Sequence, residues 1–304
     1  MVGSAIIRKL TEDGYSNIIK RSRSELDLLK QNDVATFLAG EGPDYVFLAA
    51  GKVGGIQVNN TYRGQFLYEN LMMQSNIIHA AYESKVKKLL FLGSACIYPR
   101  NAPQPIREEY LLTDILEPTN EPYAIAKIAG IKLCQSYHKQ YGCNFISIMP
   151  NNLYGPNDNF DLETSHVLPA LIRKLHEAKV NNDANVEVWG TGNPLREFIH
   201  VDDVADACLY LMNNIDADEL YNSGISHINI GSGEEVSIKE LAIMIKKVID
   251  YKGDLVFNSD YPDGTPRKLL DVSRLNAMGW KSKIKLKDGL KLVYEWYLDK
   301  LLKE

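Results

Sequence analysis

Apolar residues in the first half of the chain follow two alternating patterns. Short runs rich in branched and aromatic side chains, "DYVFLAA" (44–50), "KKLLFLG" (87–93) and "NFISIMP" (144–150), each end at Gly, Pro or Ala. Such runs mark strands buried on both faces. A shorter one lies within "SNIIKRSRS" (16–24). Longer amphipathic stretches separate them, the longest at 61–84 and 121–141. This β-α-β-α order predicts an α/β protein: a Rossmann-type doubly wound parallel sheet with helices on both faces.

Beyond residue 155 the rhythm loosens. Pro156, Pro169, Pro194, Pro262 and Pro266 punctuate it, with Asn/Asp/Gly clusters at 156–161, 181–185 and 191–194. Helical patterns return at 166–178, 202–214, 237–250 and 285–302. The expected organisation is a dinucleotide-binding unit over 1–155 and a smaller α/β substrate lobe over 156–304, with interleaved segments returning to the first unit.

Composition narrows the class. With 304 residues, 45% hydrophobic and 24% charged, the chain can bury a large core. A net charge of -5 argues against a general nucleic-acid binder. No apolar run approaches the roughly 20 residues of a membrane span. Cys96, Cys134, Cys143 and Cys208 make no C-x-x-C pair. Neither a zinc framework nor any other metal site is expected, and reduced thiols point to the cytoplasm. An enzyme is the default expectation.

The opening "MVGSAIIRKL" reads as an amphipathic helix with Gly3 near its start. A dinucleotide-binding unit opens with a buried strand, then a glycine-rich turn, then this helix. Only the last glycine and the helix are in the given chain, so the expectation is a longer working protein with residues before Met1. Arg23 falls 20 residues after Gly3, where such folds read the adenosine ribose. Arg21 and Arg23, with no carboxylate before Glu25, favour NADP over NAD. The plainer alternative is a solvated basic turn.

Tyr123 and Lys127 form Tyr-x-x-x-Lys, which shares one helix face. An ammonium near a phenol lowers its pKa and suits it to exchange a proton with a carbonyl oxygen. Chance alone places about one such pair in a chain of this composition, so context decides. Ser94 supplies it, ending the strand "LLFLGSA" where parallel sheets bind ligands. Cys96, two residues on, is a candidate base if its thiol is activated. His166 opens a helix, as a structural hydrogen-bonder or as a site residue. "WGTGNPLREFIHVDD" (189–203), with Trp189 and Arg196, and "DGTPRKLLD" (263–271), with Arg267 and Lys268, read as anion sites or as ordinary turns.

Together, "VGSAI", "AAGKVGGI", "NNTY", "KLLFLGSACIYP", "EPTNEPYAIAKIAGIKLC", "PNNLYGPNDNF", "SHVLPAL", "REFIHVDD" and "PDGTPRKLLDV" resemble the extended short-chain dehydrogenase/reductase superfamily, and within it the GDP-L-fucose synthase family. The resemblance runs from Val2 to the C-terminal helix. It implies 3,5-epimerisation of GDP-4-keto-6-deoxy-D-mannose and then reduction at C4 by NADPH. By resemblance, Ser94 and Tyr123 stabilise the enolate, and Cys96 and His166 move the C3 and C5 protons. Tyr123 then protonates the C4 oxygen while Lys127 holds the nicotinamide ribose. The same matching gives NADP(H) to Gly3, Arg23, Leu92, Gly93, Lys127, Pro150, Asn151, Asn152, Leu153 and His166. Lys174, Trp189, Arg196 and Arg267 are implied to hold the GDP-sugar. A homodimer through the two long helices is also implied. The competing expectations are another nucleotide-sugar epimerase or dehydratase of the superfamily, and a non-catalytic copy that binds or dimerises without turnover.

Overall fold

The computed structural model describes residues 1–261 and 263–303. Its elements are helices α1 (Val2–Glu12) and α2 (Gln31–Glu41), strand β1 (Tyr45–Leu48), helices α3 (Ile56–Thr61) and α4 (Arg63–Glu83), β2 (Lys88–Leu92), α5 (Glu121–Tyr141), β3 (Phe145–Pro150) and β4 (Asn152–Tyr154). There follow α6 (Val167–Asn181), β5 (Asn185–Trp189), β6 (Leu195–His200), α7 (Val201–Asn214), α8 (Ala217–Asn222), β7 (Ile228–Ile230) and β8 (Glu235–Ser237). The last are α9 (Ile238–Ile249), β9 (Asp254–Asn258), β10 (Arg267–Lys268), α10 (Ser273–Ala277) and α11 (Leu286–Leu301).

The apolar runs form the main sheet, a parallel one in the order β1-β2-β3-β7. Strand side chains alternate between faces, and here both faces are covered. Leu90, Leu92, Ile146 and Ile148 pack with the residues of α1 and α7. Leu89, Phe91, Phe145 and Met149 pack with those of α2, α4 and α5. Each such fully buried side chain stabilises by roughly 1.5–3 kcal/mol. The expected strand in 16–24 is not formed. A strand needs a neighbour for its backbone hydrogen bonds, and the described sheet ends at β1, which pairs with β2 alone.

A second apolar core joins α6, α9 and α11 to β5 and β6. Its sheets are β10-β6-β4, with β8 antiparallel to β6, and the parallel pair β5-β9. Segments late in the chain return to the first core: α7 packs on α1, and β7 completes the main sheet. The "HVDD" element serves this junction. His200 caps α7 by accepting from the Asp202 amide, and Asp203 accepts from the Lys283 and Ile284 amides at 3.0 and 2.9 Å.

Candidate active site

The carboxyl ends of the paired strands β2 and β3 lie beside the start of α5. A close approach makes this possible. A Cβ at Gly130 would lie 2.4 Å from the Phe91 ring, so only glycine seats α5 this tightly on β2. The Gln74 side chain donates to the Ala126 carbonyl and fixes α4 to the same turn. Tyr123 and Lys127, one turn apart, are thereby held over the end of β2.

Lys127 is 4% exposed. Its Nζ donates to the Leu92 carbonyl at 2.9 Å and lies 4.8 Å from the Phe91 ring centroid and 5.8 Å from that of Tyr123. Burial pulls the ammonium down to about 8, with Cys96 opposing. Tyr123 packs edge-on against Phe66, centroids 6.3 Å apart. Burial pushes its phenol well above the usual value, Cys96 adds to the rise, and the Ser94 hydroxyl opposes it. This reverses the expected direction. Lys127 directs its charge to Leu92, so desolvation outweighs it, and the phenol is held in its proton-donating form.

Ser94 lies in extended backbone just past β2 and faces both Tyr123 and Cys96. Cys96 is 8% exposed. Burial raises its thiol above the usual value, while Lys268, Ser94 and Lys127 favour the thiolate. His166 is the N-cap of α6. The residue is solvent-exposed although protein atoms crowd its ring. Desolvation and then the Lys268 charge disfavour its imidazolium, with that exposure screening both effects.

The remaining candidate residues divide. Gly3 sits exposed in α1, and a Cβ added there would meet nothing within 4 Å, so no protein contact requires glycine at this position. Arg21 is engaged, paired with Glu41 and 5.1 Å over the Phe37 ring. Arg23 is 80% exposed, and its contact with Glu69 is at 3.8 Å. Gly93, Pro150 and Leu153 line the ends of β2, β3 and β4. Asn151 and Asn152 are committed to the buried Glu197: Asn151 Nδ2 donates to its carboxylate and Asn152 Nδ2 to its backbone carbonyl at 2.8 Å.

On the second lobe, Lys174 Nζ lies 4.5 Å from the Trp189 ring centroid, and Trp189 stacks on Tyr261 at 4.5 Å and 8°. Arg196 is half-buried, donates to the Leu195 carbonyl at 2.9 Å, and has its charged form disfavoured by burial. Arg267 is clamped to Glu235, its Nη2 2.8 Å from Oε1. Sequence reasoning missed Glu197, a carboxylate with no exposure, revealed only by the folding of β4 against β6. Lys268, named in the sequence beside Arg267, is half-buried.

The arrangement can polarise a carbonyl oxygen with Ser94 and Tyr123. Cys96 adds a further titratable group beside them. Residues 1–231 match the family described as "NAD dependent epimerase/dehydratase family". The chain is 59% identical over 298 residues to GDP-L-fucose synthase 1 of Arabidopsis thaliana, covering 98% of this chain and 90% of that protein. It is 55% identical over 301 residues to GDP-L-fucose synthase of Escherichia coli K12, covering 98% and 94%. Among solved structures it matches a GDP-D-glycero-L-gluco-heptose synthase from Campylobacter jejuni, determined in the presence of NADPH. That match has a TM-score of 0.92 and 43% identity, covering 98% of this chain and 95% of that one. The chain belongs to the NAD dependent epimerase/dehydratase family, in its GDP-L-fucose synthase group.

Proposed function

We propose that this chain converts GDP-4-keto-6-deoxy-D-mannose to GDP-L-fucose by epimerisation at C3 and C5 and NADPH-dependent reduction at C4. The observation that carries the reading is Cys96 held against Ser94, with Tyr123 and Lys127 around it. A ketone reductase needs Ser94, Tyr123 and Lys127 only; Cys96 and His166 add groups that can exchange protons on the carbons flanking the ketone. The relatives named above support the GDP-sugar and the nicotinamide cofactor.

In this mechanism the C4 carbonyl oxygen accepts hydrogen bonds from Ser94 and Tyr123. That withdraws charge and makes the C3 and C5 hydrogens acidic. Cys96, as thiolate, removes a proton; His166 delivers one from the other side. NADPH supplies the hydride to C4. The neutral Tyr123 phenol gives its proton to the C4 oxygen, consistent with burial holding it protonated.

The chain's residues fit that cofactor. The Lys127 ammonium stands at the end of β2 with donors to spare for ribose hydroxyls. Arg23, 80% exposed and 3.8 Å from Glu69, would read the 2′-phosphate. Gly3, Leu92, Gly93 and the 150–153 segment line the rest, the asparagines by holding the backbone through Glu197. Lys174, Trp189 and Arg196 would hold the nucleoside diphosphate, Trp189 as an apolar platform that is 46% exposed.

We further assign a homodimer to α4 and α5, which together leave Tyr68, Ile125 and Tyr141 exposed. Sedimentation as a monomer would overturn that assignment. A cytoplasmic setting agrees with four unpaired cysteines, and no helix among the described residues is long and apolar enough to cross a membrane.

The test is to present the 4-keto forms of GDP-6-deoxymannose and GDP-mannoheptose in parallel with NADPH. GDP-L-fucose from the first is the expected product. Turnover of the heptose alone would move the assignment to the heptose reductases, whose structures this chain also resembles.

A further inference from the structure

The loop between β1 and α3, residues 49–55, touches the supports of both Lys127 and His166. Its first part lies against the reductase residues. A Cβ built on Gly51 would stand 3.2 Å from Asn70 Oδ1 and 3.5 Å from Lys127 Nζ. Asn70, 1% exposed on α4, brackets the next residue. Its Oδ1 accepts from the Lys52 amide at 2.9 Å, and its Nδ2 donates to the Lys52 carbonyl at 3.1 Å. The same Nδ2 donates to the Phe66 carbonyl at 2.7 Å, and the Phe66 ring is the one packed edge-on against Tyr123.

The far end of the loop lies against the segment that leads into His166. The Gly55 amide donates to the Thr164 carbonyl at 3.1 Å. A Cβ on Gly55 would meet the Ser165 carbonyl oxygen at 3.1 Å, while the Gly55 φ of -63° is one that any residue adopts. The tight fit there is with Ser165 and not within the loop's own backbone. Asn59, 5% exposed on α3, fixes this turn. Its Nδ2 donates to the Gly54 and Gly55 carbonyls at 2.6 and 3.0 Å, and its amide to the Gly55 carbonyl at 3.1 Å. A buried amide that gives its N–H bonds to two successive loop carbonyls holds both of them in place. Thr164 is itself held, its amide and hydroxyl both donating to Asp161 Oδ1. His166 follows as the N-cap of α6 with no side-chain cap bond, so its backbone neighbours set where the ring stands.

We infer that Gly55 and Asn59 are positioning residues for His166: the turn they form sets the Ser165–His166 backbone at a fixed distance from the loop that Asn70 holds beside Lys127. The inference rests on the proposed role of His166 in moving a carbon proton. Such transfers depend steeply on placement, a misplacement of about 1 Å costing about 10²-fold. Tyr123 and Lys127 ride on α5, which Gly130 and Gln74 seat by separate contacts. Disturbing the turn should therefore spare the oxygen proton and the hydride.

Two variants test this. Gly55→Ala adds one methyl against the Ser165 carbonyl, and Asn59→Asp keeps the side-chain size but removes both donors. In the intact protein with isotope-labelled histidine, the His166 NMR signal is assigned by its loss in His166→Ala. In each variant that signal should move while those of the other histidines stay. In deuterium oxide, each should lower solvent-deuterium incorporation into the 4-keto sugar by about tenfold, with reduction of an already epimerised ketone by NADPH within about twofold of the parent. Placed in a His166→Ala background, either change should lower the residual incorporation no further, because effects acting through one group do not add. An unmoved His166 signal overturns the inference whether or not the protein turns over. Equal losses of deuterium incorporation and reduction also overturn it, as does a loss that persists without His166. If Gly55→Ala fails to fold, Asn59→Asp carries all three readouts. Failure of the parent to form GDP-L-fucose would sink the functional reading instead, and the NMR signal would still decide the placement.

Discussion

Two tyrosines, Tyr98 and Tyr123, have phenols raised by burial, and their surroundings differ in one respect. Tyr98 is 3% exposed and fully partnered. Its hydroxyl donates to Asn229 Oδ1 and meets His227 Nε2 at 2.6 Å. Asn229 in turn donates from its backbone to Glu108 at 3.1 Å and from its side chain to the Ile106 carbonyl at 2.9 Å; Glu108 pairs with Arg274 at 3.1 Å. His227, pulled down to about 3 by burial, is neutral throughout. Tyr123 has no such shell. Among the described residues Ser94 is the one hydrogen-bond partner toward its hydroxyl, and the residue is half-buried. Both phenols are raised by burial, so the shift alone distinguishes nothing. What separates structure from chemistry is whether the polar atom's bonding capacity is used up within the protein.

The comparison breaks most sharply under substitution. Tyr123→Phe should lower turnover by about 10²–10⁴, the usual worth of a general acid, with little change in thermal unfolding. A variant keeping most of its activity would remove Tyr123 from the mechanism. Lys127→Ala should weaken NADPH binding by about 10–150-fold, from the roughly 1.5–3 kcal/mol of hydrogen bonds to a charged group. The same ammonium has its folded value lowered to about 8, so it is charged below that pH and neutral above it. In the parent protein, NADPH affinity should therefore fall as pH rises from 7 toward 9, and a flat fluorescence titration across that span would contradict the ribose contact.

Smaller effects follow. Arg23→Ala should cost about tenfold in NADPH affinity and leave NADH unaffected; equal losses for both cofactors would place Arg23 off the 2′-phosphate. Tyr98→Phe should do the reverse of Tyr123→Phe. It should lower unfolding free energy by about 1–3 kcal/mol, because Asn229 and His227 lose a buried partner, while turnover per folded molecule stays at the parent level. Denaturant melts and active-site-normalised rates separate the two.

Much of the fold was legible because burial on both faces leaves a plain apolar signature. The three long runs are β1, β2 and β3, and the helical stretches at 61–84 and 121–141 are α4 and α5 to within two residues at either end. "SNIIKRSRS" misled because its pattern was local: two adjacent isoleucines suggest a strand, but pairing is a tertiary event. At the site, Tyr123 and Lys127 could be placed on one face from spacing alone. Their electrostatics could not, because desolvation by Phe66 and Phe91 depends on how tightly Gly130 lets α5 approach. Arg267 and Lys268 look equivalent in a sequence; the pairing of β10 with β6 leaves Arg267 engaged by Glu235.

In the proposed mechanism two different chemistries share one oxygen site, with separate residues for the carbon protons and for the oxygen proton. The direct measurement is a Cys96→Ser variant assayed in deuterium oxide, scoring deuterium at C3 and C5 alongside NADPH consumption on a substrate already epimerised. Deuterium incorporation should collapse while hydride transfer to the epimerised ketone stays near the parent rate. Equal losses in both steps would contradict the division of labour.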